Sequence, residues 1–187
     1  AGGPPEGTTF KAVQCGGPAG GCVSEKYLDL PVDYESLLSV GAMMGSGGLV
    51  VLNSESCMVD VAKFFMSFTR SESCGKCTPC REGTTRIWEI LDKITKGLGT
   101  KKDLDQLRIL AQFVRENSLC GLGQAAPNPI LTTLAQFENE YLTHIEQKEC
   151  ASHSCRNLVR YRINEKCNGC GNCARHCPVH CIAGRLK

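Results

Sequence analysis

The sequence predicts an α+β protein of more than one domain. Two changes along the chain support this prediction. Residues 8–53 are rich in β-forming residues and glycine turns, whereas apolar residues in 54–147 recur at helical spacing. Residues 148–187 contain a run of closely spaced cysteines. We therefore expect three structural units in this order.

Residues 8–53 are predicted to form a small unit of strands with one short helix. The stretches TFKAVQC and GLVVLN are rich in β-forming residues and lie next to the glycine clusters GGPAGG and GSGG. Between them, PVDYESLLSVG predicts a helix with Pro31 and Asp33 near its start and Gly41 at its end. Neither glycine cluster has the G-x-G-x-x-G spacing after a strand, so we interpret both as tight turns and not as phosphate-binding loops.

Residues 54–147 are predicted to form a four-helix bundle, because four apolar stripes are joined by short connections that favour antiparallel neighbours. The stripes comprise Met58, Val61, Phe65 and Phe68; Ile87, Trp88, Ile90, Leu91 and Ile94; Leu104, Leu107, Leu110, Ala111 and Val114; and Ile130, Leu134, Phe137, Tyr141, Leu142 and Ile145. We expect these side chains to form the core of the bundle.

Composition limits the class of protein. No apolar run approaches the roughly 20 residues that span a bilayer, and the opening AGGPPEGTTF lacks the order of a signal peptide. We therefore expect a soluble, cytoplasmic protein without a transmembrane segment. In that setting the 14 cysteines favour metal binding over a disulfide framework. A net charge of only +2 argues against a general nucleic-acid binder.

The stretch SESCGKCTPCREG places Cys74, Cys77 and Cys80 at strict two-residue intervals. Thr78 is a candidate N-cap and Pro79 a candidate first helical residue, so the three cysteines are predicted to lie where a helix begins. A helix N-terminus offers partial positive charge and free N–H groups, which stabilise an anionic cluster and its sulfurs.

A fourth ligand is needed to complete this site. Cys120, in SLCGLG just after the third predicted helix, is placed to supply it, and Gly121 and Gly123 allow the backbone to turn closely around it. Three evenly spaced thiolates on one loop with one remote thiolate favour a [4Fe-4S] cluster. Tetrahedral zinc is the alternative, although zinc sites usually draw two pairs of ligands from two loops.

A second cysteine run spans Cys167, Cys170, Cys173 and Cys177-Pro178. It reproduces the bacterial ferredoxin pattern C-x2-C-x2-C-x3-C-P, whose last cysteine binds the other cluster of a two-cluster domain. We expect the first three cysteines to bind a [4Fe-4S] cluster and Cys177 to bind a second ferredoxin cluster. The first cluster then takes either an unusual fourth ligand or, as we favour, one from outside this sequence in a longer protein.

A third group, a possible zinc site, comprises His144, Cys150, Cys155 and Cys181. Its spacing is too irregular for an iron-sulfur cube, but three thiolates and one imidazole are an ordinary structural zinc set. The alternative is that these cysteines are small buried hydrophobic residues, and His153 lies equally near.

The other cysteines and histidines are predicted to have no metal. Cys15, Cys22 and Cys57 have no partners at useful spacing and are interpreted as core cysteines. His176 and His180 flank the second cysteine run and are expected to be solvated.

Five stretches carry a resemblance to a known family. They read ESCGKCTPCREG, SLCGLGQAAPNPIL, GGPAGGC, DYESLLSVGAMMGSGGLVVL and CMVDVAKFF. Together they resemble the C-terminal half of the FMN- and NAD(P)-binding flavoprotein subunit of respiratory complex I and its relatives in NAD(P)-linked and electron-bifurcating [FeFe]-hydrogenases and NAD-linked formate dehydrogenases. The resemblance covers about residues 10–145, and the added ferredoxin run is similar to the hydrogenase type.

The resemblance implies the fold of each unit. Residues 8–53 match a small β-grasp domain, residues 54–147 a helical-bundle domain that carries a [4Fe-4S] cluster, and residues 148–187 a linker and the start of a ferredoxin-like [4Fe-4S] domain. It also implies that the four cysteines of the first site, Cys74, Cys77, Cys80 and Cys120, bind a cluster next to flavin.

The resemblance also implies a role. The family binds FMN and NAD(P) through an upstream GRGGAGFP-type loop that this sequence lacks, so we expect electron transfer here and no catalytic residue for hydride transfer. Lys76 and Arg81, beside the ligands, would raise the cluster potential. Expected partners are an iron-sulfur hydrogenase-like subunit and a small [2Fe-2S] thioredoxin-like subunit.

Two alternatives to the hydrogenase interpretation stay open. The same electron-transfer role could belong to a formate dehydrogenase or to a complex I-like NADH dehydrogenase. A different class is a non-catalytic interaction module that is held together by zinc.

Overall fold

A computed structural model of this chain describes residues 2–161 and 163–182, so residues 183–187 of the third predicted unit lie outside it. The described residues combine a small antiparallel sheet with a larger set of helices. No helix among them has the length and apolar character needed to cross a membrane.

The sheet consists of β1 (Phe10–Cys15), β2 (Gly21–Ser24) and β3 (Leu49–Asn53), in the order β2-β1-β3. Both pairings of the central strand are antiparallel, with Val13 opposite Val23 on one side and Val51 on the other. The two strands predicted from the sequence correspond to β1 and β3. β2 was not predicted.

A short helix follows the first hairpin, as predicted. In α1 (Tyr34–Ser39), the carboxylate of the N-cap Asp33 accepts a hydrogen bond from the backbone N–H of Ser36 at 2.7 Å. Leu37 is buried under the sheet with Cys15, Val23 and Ala42, whereas Leu38 is 70% exposed.

The helical part begins at residue 58. Its helices are α2 (Met58–Ser71), α3 (Thr78–Thr95), α4 (Lys101–Asn117), α5 (Gly121–Ala125), α6 (Asn128–Gln136) and α7 (Glu138–Leu142), and a wider helical turn (Thr143–Gln147) follows α7. The first three predicted helices correspond to α2, α3 and α4. The fourth predicted helix is broken at Phe137, where the backbone leaves helical geometry with φ −132° and ψ 29°.

One large core joins the helices, and most of the predicted stripes lie in it. Phe68 is an exception, since 46% of it is exposed. Trp88 is only partly buried, and the guanidinium of Arg70 lies over its ring at 4.3 Å. The core also extends into the third unit, because Leu158 of a short 3₁₀ turn (Arg156–Leu158) is buried in it. A short helix, α8 (Asn172–His176), lies within the second cysteine run.

The sheet is attached to the helices through β2. The hydroxyl oxygen of Thr132 on α6 accepts a hydrogen bond from the N–H of Cys22 at 3.0 Å. The Gln136 amide accepts from the N–H of Ser24 at 2.7 Å and donates to the carbonyl of Cys22 at 2.9 Å. Side chains of α6 therefore replace the missing neighbour strand at this sheet edge.

Candidate metal centres

The first cysteine loop joins the end of α2 to the start of α3. Cys77, with extended backbone, is the N-cap of α3, and its carbonyl accepts the N–H of Arg81 at 3.0 Å. Thr78, predicted as the N-cap, is instead the first helical residue, because the cysteine supplies the extended conformation that a cap requires. Gly75 turns the loop with φ +72°, a conformation that favours glycine.

Cys120 occupies the same kind of position at the other side of the site. It has extended backbone (φ −137°, ψ 166°) and immediately precedes α5. Gly123 lets this loop pack against α3, because a Cβ there would lie 2.5 Å from Cβ of Ser118 and 3.1 Å from Cβ of Cys80. The two loops therefore meet beside Cys80.

The other three cysteines of the first site lie near enough to Cys80 to affect its pKa. Burial raises the pKa of Cys80, and charges on Cys77, Cys120 and Cys74 raise it further. The pKa of Cys77 is lowered because its sulfur accepts hydrogen bonds from the backbone N–H groups of Leu119 and Cys80. Thiolate ligands are thus favoured where the two loops supply N–H donors.

The four thiols of the first site are not gathered as closely as the ligands of a single metal ion. Sulfurs around one tetrahedral zinc lie about 3.8 Å apart, from a Zn–S distance of about 2.3 Å. Among the described residues, the group of metal-binding side chains whose ligand atoms all lie within 4.8 Å is a different one. Four cysteines that converge from two loops with wider spacing fit the donor set of a [4Fe-4S] cluster.

That closely spaced group comprises Cys57, His144, Cys150 and Cys155, all buried. Nε2 of His144 lies 3.3 Å from the sulfur of Cys57 and 3.4 Å from that of Cys155, and the two sulfurs are 3.7 Å apart. These separations are close to those expected around a single zinc ion. Cys57 is the N-cap of α2, His144 lies in the turn after α7, and the other two cysteines lie in the linker.

The histidine is already oriented for a metal. Nδ1 of His144 lies 2.7 Å from the carbonyl oxygen of Glu140, which accepts its proton and leaves Nε2 toward the sulfurs. Burial lowers the pKa of His144, but hydrogen bonds to the sulfurs of Cys150 and Cys57 outweigh it and raise that pKa to about 10. Hydrogen bonds from Cys155 and Cys57 lower the pKa of Cys150. In the metal-free group the thiolate of Cys150 is therefore paired with a protonated His144, and a bound metal ion would replace that proton on Nε2.

The ligand set of this second centre differs from the predicted one. Cys181 does not belong to the group; its sulfur lies 3.6 Å from that of Cys177. Cys57, interpreted from the sequence as a core cysteine, takes its place. The sequence spacing gave little indication that Cys57 is part of this group, since 87 residues separate it from His144. His153, the other histidine considered, is exposed and lies outside the group.

The remaining cysteines lie outside the two groups described above. Cys15 and Cys22 are buried, as predicted for core cysteines, and burial raises the pKa of Cys22 to about 12. In the second run Cys170 and Cys173 are exposed, whereas Cys167 is half-buried and its sulfur accepts the N–H of Gly169 at 3.4 Å. Cys177 is also buried.

Comparison with known proteins identifies the two cysteine-rich regions. Residues 60–144 match the family described as the NADH-ubiquinone oxidoreductase-F iron-sulfur binding region, and residues 161–183 match the 4Fe-4S binding domain. Residues 60–144 are thus an iron-sulfur binding region of the NADH-ubiquinone oxidoreductase-F type. The resemblance inferred from the sequence motifs is confirmed.

Relatives of this chain include subunits of two kinds of oxidoreductase. It is 55% identical to the NADP-reducing hydrogenase subunit HndC of Solidesulfovibrio fructosivorans over 187 residues, which is 100% of this chain and 38% of that protein. It is 40% identical to the F 2 subunit of the NADH-quinone oxidoreductase of Rhizobium meliloti (strain 1021) over 82% of this chain and 36% of the relative. The chain therefore spans less than two fifths of the length of these relatives.

A solved structure is similar as well. The NAD⁺-reducing [NiFe]-hydrogenase in its H2-reduced state aligns with a TM-score of 0.67 and 32% identity, over 74% of this chain and 24% of the hydrogenase chain. The mixed helix and strand architecture is thus shared with a hydrogenase subunit.

Proposed function

We propose that this chain is the electron-transfer portion of the flavoprotein subunit of an NAD(P)-linked hydrogenase of the electron-bifurcating [FeFe] type. The observation that carries the proposal is the convergence of Cys74, Cys77, Cys80 and Cys120 inside the iron-sulfur binding region of the family. A [4Fe-4S] cluster supplies one-electron transfer when it is bound there. The proposed route runs from FMN to clusters of partner subunits, and the hydride-transfer site lies outside this segment.

We favour a hydrogenase because of the share of this chain that each relative matches. The match to the NADP-reducing hydrogenase subunit extends over the entire chain, including the second cysteine run, whereas the match to the quinone-linked relative covers about four fifths of it. A complex I-like NADH dehydrogenase or a formate dehydrogenase is the alternative assignment for the same electron-transfer role.

The chain's own residues prepare the first site in three ways. Thiolates of the two loops would bind the irons, N–H groups of Leu119 and Cys80 donate to the sulfur of Cys77, and the glycine at position 123 lets the loops approach. Since Cys80 is buried while Cys74 and Cys120 are exposed, the site has one sheltered side and one side open to a redox partner.

The finer architecture belongs to the same proposal. We assign residues 8–53 to a β-grasp domain, 54–147 to the helical cluster domain, and 148–187 to a linker and the start of a ferredoxin-like domain. In that last unit Cys167, Cys170 and Cys173 would hold a [4Fe-4S] cluster with a fourth ligand from elsewhere. Cys177 would bind a second cluster, which gives electrons a second branch.

The rest of the assembly is assigned by the same reasoning. FMN and NAD(P) would bind to parts of the intact subunit that this chain does not include. The partners would be an iron-sulfur hydrogenase-like subunit and a small [2Fe-2S] thioredoxin-like subunit. We place the complex in the cytoplasm, where thiolates stay reduced and available for clusters.

We also propose that Cys57, His144, Cys150 and Cys155 bind zinc. The separations between their ligand atoms and the fixed tautomer of the histidine support this assignment. Because the four residues come from α2, the turn after α7 and the linker, zinc would fasten the linker to the helical unit.

Removal of one cluster ligand tests the main proposal. In the purified complex, Cys77→Ala should lose about four irons and the same number of sulfides per subunit, with reduced absorption near 400 nm, because three thiolates do not complete the site. Cys15→Ala removes a buried thiol of the sheet core and should leave the iron content unchanged. Unchanged iron in Cys77→Ala would refute the cluster assignment, and a colourless wild-type protein that contains only zinc would favour the interaction module.

Zinc analysis tests the second centre. Cys57→Ala should lose the zinc ion, because a buried site with two sulfurs and one nitrogen holds zinc far more weakly. Cys181→Ala should retain it, since that cysteine contacts Cys177 instead. Metal content is measured by mass spectrometry on both variants of the intact complex. Zinc loss from Cys181→Ala with retention in Cys57→Ala would restore the ligand set that the sequence predicted.

A further inference from the structure

Ser73 lies between the end of α2 and the first ligand of the cysteine loop. Its hydroxyl oxygen is 3.3 Å from the sulfur of Cys80, the most deeply buried of the four cysteines of the first site. Among the described residues, Ser73 supplies the side-chain hydroxyl that lies within hydrogen-bond distance of one of these four sulfurs, that of Cys80. A thiolate ligand has no proton to give, so in the metal-bound state the hydroxyl must be the donor.

The backbone of the loop orients this hydroxyl. The N–H of Gly75 donates to the oxygen of Ser73 at 3.3 Å, which occupies an acceptor position of that oxygen and leaves its proton for Cys80. The guanidinium of Arg81 donates to the carbonyl of Gly75 at 2.6 Å and so holds the loop. The bond from Gly75 to the hydroxyl oxygen and the bond from the hydroxyl to Cys80 share that oxygen, so they polarise one another and strengthen the hydroxyl as a donor.

We propose that Ser73 sets the reduction potential of the cluster held by Cys74, Cys77, Cys80 and Cys120, by donating a hydrogen bond to the sulfur of Cys80. This inference rests on the cluster assignment proposed above. Reduction adds one negative charge to the cluster, so a donor to a ligand sulfur stabilises the reduced form more than the oxidised form. The hydroxyl thereby raises the potential.

The basic side chains near the loop are less suited to this task. Lys76 is exposed, and the guanidinium of Arg81 is half-exposed and shared between Glu82 and Gly75. Solvent screens such charges, whereas the hydroxyl of Ser73 contacts a buried ligand atom directly. We therefore expect Ser73 to control the potential more strongly than the positive charges beside the ligands.

The experiment is a redox titration of the purified complex, followed by electron paramagnetic resonance of the reduced cluster. Ser73→Ala should shift the midpoint to lower potential at unchanged iron content, and Ser73→Thr, which keeps a hydroxyl, should restore it. Ser71→Ala is the matched control, because that serine is exposed and donates only to the carbonyl of Phe68 in its own helix. It should leave the midpoint unchanged.

The outcomes distinguish the role of Ser73 from the presence of the cluster. Equal midpoints for wild type and Ser73→Ala, with equal iron, would overturn the role of Ser73 and leave the cluster assignment standing. Absence of iron from the wild-type site would overturn both. Ser73→Gly serves as a second hydroxyl-free variant. Loss of the cluster from the Ala and Gly variants but not from Ser73→Thr would overturn the tuning role, because the hydroxyl would then be needed to hold the cluster.

Discussion

Gly83 allows α3 to approach α4 more closely than any side chain would permit. A Cβ at this position would lie 2.2 Å from Cγ2 of Val114, which is fully buried. In an open helix Gly→Ala is stabilising by roughly 0.5–1 kcal/mol, but here the overlap is with a stiff β-branched side chain. Gly83→Ala should therefore lower the free energy of unfolding by about 1–3 kcal/mol, seen as a lower melting temperature.

Two controls isolate the overlap at Gly83. Gly121→Ala adds a methyl group at the start of α5 where no atom lies within 4 Å, so it should leave the melting temperature unchanged or slightly raised. The double variant Gly83→Ala with Val114→Ala removes the clashing methyl group, so it should lose less stability than the sum of the two single variants. If Gly83→Ala alone is as stable as wild type, the two helices can separate without cost.

The proposed cluster ligands are those that the sequence marks by local signals. Cys74, Cys77 and Cys80 occur in one tight run, and Cys120 follows a helix whose end could be read from its apolar pattern. Cys57 has no such signal, because its partners in the second centre are brought to it only by the packing of α2 against the turn after α7. Ser73 also has no sequence signal, because its proposed role depends on the rotamer of its side chain and not on its spacing from the cysteines.

The helices whose patterns are strong and whose ends carry local signals could be predicted. α4 begins at a capping box in which Thr100 and Asp103 exchange hydrogen bonds, a local signal that lies entirely within its first turn. α3 begins one residue earlier than its composition suggests, because Cys77 caps it in place of Thr78.

Elements that depend on tertiary contacts could not be predicted. β2 has only four residues, and its outer edge is satisfied by side chains of α6 that lie more than 100 residues away. The apolar pattern continues through the break at Phe137 because α7 buries Tyr141 on the same side. The hydroxyl of Tyr141 pairs with that of Thr133 at 2.7 Å, which ties the two helices across the break.

Glu140 connects the sheet, the helices and the proposed zinc site. Its carboxylate forms an ion pair with Lys11 of β1 at 2.8 Å and accepts the N–H of Met58, at the start of α2, at 3.0 Å. Its carbonyl oxygen accepts the proton on Nδ1 of His144. Since both charged side chains are only about one fifth exposed, this pair is less screened than an ordinary surface pair.

Glu140→Ala should therefore loosen the sheet against the helices. It removes a charge-assisted pair and the acceptor at the start of α2, at a cost of about 1.5–3 kcal/mol in the free energy of unfolding. Amide hydrogen exchange in β1 should accelerate in Glu140→Ala. The exchange rate in Glu140→Gln should lie between those of wild type and Glu140→Ala, because the glutamine amide oxygen still accepts the N–H of Met58. Glu146→Ala breaks an exposed pair with Lys101 and should cost under about 1 kcal/mol without a change in exchange at β1. Equal effects of the Glu140 and Glu146 variants would contradict a special role for Glu140 in joining sheet and helices.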